Sequence, residues 1–240
     1  MADIRNYYRR KRTLNIKIYI LGSVAVVMVT MALITLRDAL WKYSTETTLS
    51  QVPEVEQELL LVNKDNKVSV DYEPEDLVPL ETDFISNGDR SVNVLKSEAA
   101  SALKEMFEGA GKDGVYLLGV SGYRDYNYQK RLYENEVQVF GEKRASRYVA
   151  EPGESEHQTG LAIDILSSEY QIMDENFKFT NAYKWIEDNC EKYGFIIRYP
   201  EGKEDVTGYG YEPWHIRYVG VNAAEYIMNN DLTLEEYLNK

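Results

Sequence analysis

From Ile18 to Leu36 the chain runs IYILGSVAVVMVTMALITL, nineteen residues without a charge. At ~1.5 Å rise per residue this makes roughly 28 Å of helix, close to the ~30 Å hydrocarbon core of a bilayer. The run is apolar on all sides, which argues for a membrane span over a buried amphipathic helix. A cleaved signal peptide is the alternative, but the run exceeds the usual ~7–15 residue signal core and no small-x-small site follows it. Six basic residues precede it in residues 1–17, against the single acid Asp3. That asymmetry places the N-terminus in the cytoplasm and everything after Leu36 outside. Residues 37–57 are polar, lack sustained periodicity and contain Pro53, as expected of a stalk.

Beyond residue 57 the pattern becomes that of a folded domain. Leu59–Val62 and the alternating Val68–Tyr72 flank a polar turn and predict a hairpin, followed by a proline-bearing loop, EPEDLVPL. Leu95, Ala99, Leu103, Met106 and Phe107 recur at helical spacing, with Gly109 and Gly111 as stop signals. VYLLGV (115–120) reads as a buried strand. A helix follows it with Tyr128, Leu132, Tyr133, Val137 and Phe140 on one face. LAIDIL (161–166), GFIIRYP and the end of EPWHIRYVG read as strands. Thr180 is placed to cap a helix through Trp185 and Ile186, and Thr233 with Glu236 forms a capping box. The predicted architecture is an α+β domain, a central antiparallel sheet flanked by helices, preceded by one transmembrane helix. Its parts are a basic cytoplasmic tail (1–17), the span (18–36), the stalk (37–57) and the domain (58–240).

Composition sharpens this. The formal net charge is −13 although the N-terminal tail is basic, so the domain is strongly acidic and nucleic acid is excluded as a partner. The lone cysteine, Cys190, excludes an intrachain disulfide. It shares the apolar side of a helical pattern with Ile186 and Tyr193, which assigns it to the core.

Chemistry enters through the strand LAIDIL. Leu161, Ile163 and Ile165 share one face, so Asp164 projects between Ala162 and Leu166 on the other. An unpaired charge there is costly. His157, one of only two histidines, lies on the loop that enters this strand, and Gly160 lets that loop bend back. The second histidine, His215, opens another strand three residues after Glu212, where Pro213 rules out a helix interior. Taken singly, each has a bland explanation: a salt bridge for Asp164, a hydrogen-bonded core histidine for His215. Together, two imidazoles and one carboxylate make three ligands with a fourth position open, the donor set of a catalytic zinc. Glu212 is then placed to act as a base that is not a ligand.

The stretches GYRDYNYQ, PGESEHQTGLAIDI, YGFIIRYP and TGYGYEPWHIRYVG resemble the VanY-type zinc carboxypeptidases, D-alanyl-D-alanine carboxypeptidases with D,D-dipeptidase and L,D-carboxypeptidase relatives. The shared pattern is Ser-x-His-x6-Asp followed by Glu-x-x-His. The resemblance implies one zinc per chain on His157, Asp164 and His215, with Glu212 as general base and acid. It implies Arg124 as oxyanion stabiliser, and Gln129 and Ser155 as contacts to the peptide. Arg198 and Arg217 are candidates for a substrate carboxylate or for surface ion pairs. The implied protein is a monomeric, single-pass enzyme of a bacterial cell membrane, with its catalytic domain outside. It would remove the terminal D-alanine from peptidoglycan stem peptides or their lipid-linked precursor, an activity that can contribute to glycopeptide resistance. An L,D-carboxypeptidase acting on tetrapeptides and a non-catalytic zinc module binding wall peptides are the alternatives.

Overall fold

The computed structural model describes Met31, Arg37 and residues 59–85 and 92–238. The expected tail, span and stalk therefore lie outside the described residues, apart from Met31 and Arg37. Among the described residues no helix is long and apolar enough to cross a membrane. The chain divides into two compact units, Met1–Val52 and Pro53–Lys240, and the elements below belong to the second.

That unit is α+β, as the pattern predicts. Strands β3 (Leu117–Ser121), β4 (Ala162–Ser167), β5 (Phe195–Ile197) and β6 (His215–Tyr218) form one antiparallel sheet in the order β3-β4-β6-β5. A separate two-stranded ribbon pairs β1 (Leu77–Pro79) with β2 (Val94–Lys96). Alternation along the strands divides the sheet's side chains between two faces. Ile163, Ile165, Phe195, Ile197 and Ile216 belong to the main core, with Ala99, Leu103 and Met106 of helix α1 (Ser97–Lys112). The Thr180-capped helix, with Trp185 and Ile186, joins the same core. Ile196 belongs to a second cluster with Ala224, Ile227, Leu234 and Leu61.

Several expectations are corrected. Residues 59–72 make the predicted tight turn, with Asn63 and Asn66 exchanging backbone bonds of 3.0 and 3.2 Å, but no strands flank it. Leu61 and Val62 are buried instead, and Val68 N donates to Gly153 O at 2.8 Å. The proline-bearing segment read as a loop supplies β1, and Leu95 belongs to β2 instead of the helix. Helix α1 continues through Gly109 and Gly111 to Lys112. Gly109 serves close packing, since a Cβ there would run into the Tyr193 hydroxyl. The helix after the SGYRD turn, α2 (Tyr126–Phe140), buries only Gln129. Its apolar residues do not enter the core: Leu132 and Phe140 line an open cleft. Cys190 is fully buried, as expected of a core residue.

Candidate active site

The site begins with strand register. Asp164 on β4 pairs with His215 on β6, and on its other side with Ser121 on β3, past a bulge between Gly119 and Ser121. Directly opposed residues point to the same face, so Ser121, Asp164 and His215 form one row across three strands. All six residues of β4 are buried, so the strand is covered on both faces.

His157 reaches this row from a 3₁₀ turn, Glu156–Thr159, just before β4. Gly160 ends the turn at φ 68°, and a Cβ there would also meet Leu77 Cδ2 at 2.8 Å, so this bend requires glycine. The turn folds back as the sequence suggested. His157 Nε2 lies 3.5 Å from Asp164 Oδ2, and His215 Nδ1 lies 3.2 Å from Asp164 Oδ1. The imidazole centroids are 4.8 Å apart and nearly perpendicular. One ligand atom from each of His157, Asp164 and His215 falls within a 4.8 Å span, and all three residues are buried.

This donor set fits a zinc ion. His157 Nδ1 faces the carbonyl of Gly122 at 2.7 Å, while its Nε2 is buried without a hydrogen-bond partner among the described residues. A buried ring nitrogen left unpaired beside a carboxylate and a second imidazole is what a metal ligand looks like.

Glu212 Oε2 lies 3.8 Å from His215 Nδ1. Burial, with the Asp164 charge also acting in that direction, raises its carboxyl to about 8 against the pull of His215 and Arg124. Asp164 is affected oppositely: burial opposes ionisation, but His157, His215 and Arg124 hold it well below the ordinary carboxylate range. His157 is pushed down to about 4 by burial and then by Arg124. Burial also works against charge on His215, but the carboxylates around it win and raise it to about 9. Burial thus favours the protonated form of Glu212, while the cationic neighbours of Asp164 keep that carboxylate ionised.

Arg124 lies just after β3. Its Nη1 donates to Ser121 Oγ at 3.0 Å and to Asp164 Oδ2 at 3.3 Å, and its Nε donates to Gln129 Oε1 at 3.0 Å. Gln129 also donates to Ala150 O at 2.7 Å. Both ends of its amide are therefore engaged, and it stands behind Arg124, outside the cleft lining. Ser155 lines the cleft with Arg124, His157, Asp164, Glu212 and His215. The cleft has a volume of about 590 Å³ and extends past Leu132, Phe140 and Met173.

Arg198 and Arg217 are neither at the surface nor in the cleft. Both are fully buried. Arg198 Nε and Arg217 Nη1 each donate to Glu156 Oε1 at 2.7 Å. Arg198 also grips Glu235 in a bidentate pair at 2.6 and 2.9 Å, and Asn63 donates to the same carboxylate at 3.0 Å. Arg217 Nη2 donates to Leu60 O at 2.7 Å. Sequence reasoning missed Glu156 and Glu235 altogether. The only signal was the presence of two arginines on apolar strands.

A family model described as D-alanyl-D-alanine carboxypeptidase, VanY, matches residues 92–221. The Bacillus subtilis (strain 168) protein YodJ is 51% identical over 193 residues, covering 80% of this chain and 71% of its own. The solved LdcB LD-carboxypeptidase is 53% identical with a TM-score of 0.70, covering 75% of this chain and 85% of that one. A vancomycin resistance D,D-pentapeptidase, solved in complex with Zn(II), is 35% identical with a TM-score of 0.61, covering 75% of this chain and 97% of that one.

Proposed function

Because the chain belongs to the VanY family of D-alanyl-D-alanine carboxypeptidases, and is therefore a zinc carboxypeptidase, we propose that it removes the terminal D-alanine from peptidoglycan stem peptides. The observation that carries this is the buried group His157, Asp164 and His215, opening with Glu212 and Arg124 onto one cleft. His157, Asp164 and His215 hold the zinc. Bound there, zinc supplies Lewis acidity, polarising the scissile carbonyl and acidifying water.

The chain's own residues do the rest. Glu212 takes a proton from the attacking water at its carboxylate and returns it to the departing amine. Burial raises its carboxyl above the ordinary range, which favours return of the proton it has taken up. Arg124 keeps a positive charge beside Asp164 and stabilises negative charge as it develops on the substrate oxygen. Gln129 and Ser121 fix the guanidinium. Ser155 contacts the peptide in the cleft. A non-catalytic zinc module is disfavoured, since such a module has no use for a buried glutamate beside the ligands.

The L,D activity, on tetrapeptide stems, is favoured by the greater likeness to LdcB, 53% against 35% identity. The D,D activity on pentapeptide stems, implied by the family resemblance, is the second reading and rests on the family description. Only that second activity would remove the ending that glycopeptides bind and so contribute to resistance. The basic tail and the uncharged run at 18–36 support a single-pass anchor in the bacterial cell membrane with the domain outside, where its stem-peptide substrate is polymerised. The test is to incubate zinc-loaded protein with tetrapeptide and pentapeptide stems side by side and identify products by mass spectrometry. Release of D-alanine from the tetrapeptide is expected. Release from the pentapeptide alone selects the second reading, and release from neither removes both.

A further inference from the structure

One buried carboxylate beside the proposed ligands has no part in the chemistry above. Glu156 precedes His157 and is fully enclosed. Its Oε1 accepts from both Arg198 and Arg217 at 2.7 Å. Its Oε2 is buried and lies 3.7 Å from His215 Nε2, also buried, and neither atom has a hydrogen-bond partner among the described residues. A lone acceptor and a ring nitrogen that can carry a proton thus face each other, and leaving both unsatisfied is costly. The arrangement that serves both has the His215 proton on Nε2, pointing at Glu156. That leaves a lone pair on Nδ1, which lies 3.2 Å from Asp164 Oδ1. His157 is arranged in reverse. Its Nδ1 is 2.7 Å from the carbonyl of Gly122, which can only accept, so its free lone pair is on Nε2.

We propose that Glu156 is the positioning residue for His215: clamped by Arg198 and Arg217, it fixes the tautomer and ring orientation that turn Nδ1 towards the metal. The two histidines then bind zinc through opposite nitrogens, each set by a different acceptor behind it. The arginines make the orientation one-sided. They donate only, and both hold Oε1, so Oε2 remains as an acceptor aimed at His215. This inference rests on the zinc-ligand assignment above and not on which stem peptide is cleaved.

The chain contains two histidines, so a long-range ¹H–¹⁵N spectrum of the zinc-loaded protein shows only two imidazoles. The expected result is a proton on Nε2 of His215 and on Nδ1 of His157. A His215 proton on Nδ1, or a wild-type protein that binds no zinc, overturns the proposal. In Glu156→Gln an amide oxygen remains for the arginines, but the amide nitrogen turned to His215 cannot accept. Zinc affinity, measured by chelator competition, is expected to fall about 10–100-fold, and unchanged affinity in the folded variant overturns the proposal. If that variant does not fold, the wild-type spectrum decides alone. Absence of hydrolysis with the expected spectrum would count against the proposed substrate and leave this assignment standing.

Discussion

Glu212 Oε2 stands 3.8 Å from His215 Nδ1, three residues before it in the chain. The Pro213–Trp214 link between them lets a base and a proposed ligand converge without either displacing the other. Glu212→Gln is therefore expected to retain stoichiometric zinc while losing about 10²–10⁴-fold in kcat/KM. Metal analysis and stem-peptide hydrolysis on the same preparation check this. A zinc-loaded variant with near wild-type turnover would remove Glu212 from the mechanism.

Asp164 touches both histidines and Arg124. Asp164→Asn keeps the shape and removes the charge that offsets a dication. It is expected to purify with well under one zinc per chain and to remain inactive when zinc is added, whereas chelator-stripped wild type recovers. Full zinc occupancy in the variant would show that Asp164 is not a ligand.

Arg198 is enclosed between Glu156 and Glu235. Removing one partner from a buried ion network leaves uncompensated charge, so Arg198→Met is expected to cost about 3–5 kcal/mol of stability. Urea unfolding measures it. A raised KM with unchanged stability would instead restore the role of substrate-carboxylate contact.

The same network sets an acid limit. Burial alone would raise the Glu156 and Glu235 carboxyls, but Arg198 and Arg217 hold Glu156, and Arg198 with Asn63 holds Glu235, below the ordinary value of 4.5. An unfolded chain therefore binds more protons than the folded one as pH falls through that value. Stability contributed by these groups is present above about pH 4.5 and is lost progressively below it. Thermal midpoints measured between pH 6 and pH 3 should fall most steeply in the lower part of the range. A flat profile there would contradict the ion pairing.

Much of the site was legible because its parts are local. His157 and Asp164 share one turn-and-strand unit, Glu212 and His215 another, and alternation assigned each side chain to a face. The caps at Thr180 and Thr233 were legible for the same reason, each accepting from a backbone amide three residues on. What joins the two motifs, the Asp164–His215 register, was not readable from either alone. The buried arginines were misread because their partners are distant: Glu156 is 42 residues from Arg198 and 61 from Arg217. Helix α2 was legible as a helix, but amphipathic spacing does not tell a core face from a cleft wall. The first segment failed as a hairpin because its leucines were claimed by a cluster built largely from residues beyond 195.

The bond between Asn63 and Glu235 spans 172 residues, and it orders events in time. A chain emerging during synthesis presents His157, Asp164 and His215 before Glu235 arrives. Until then Arg198 lacks the carboxylate that takes two of its three donor nitrogens, and the arginine clamp on Glu156 has only part of its support. The proposed centre is thus coupled to a segment made after all of its ligands, and a partly made chain would hold its proposed metal ligands without the scaffold that sets them.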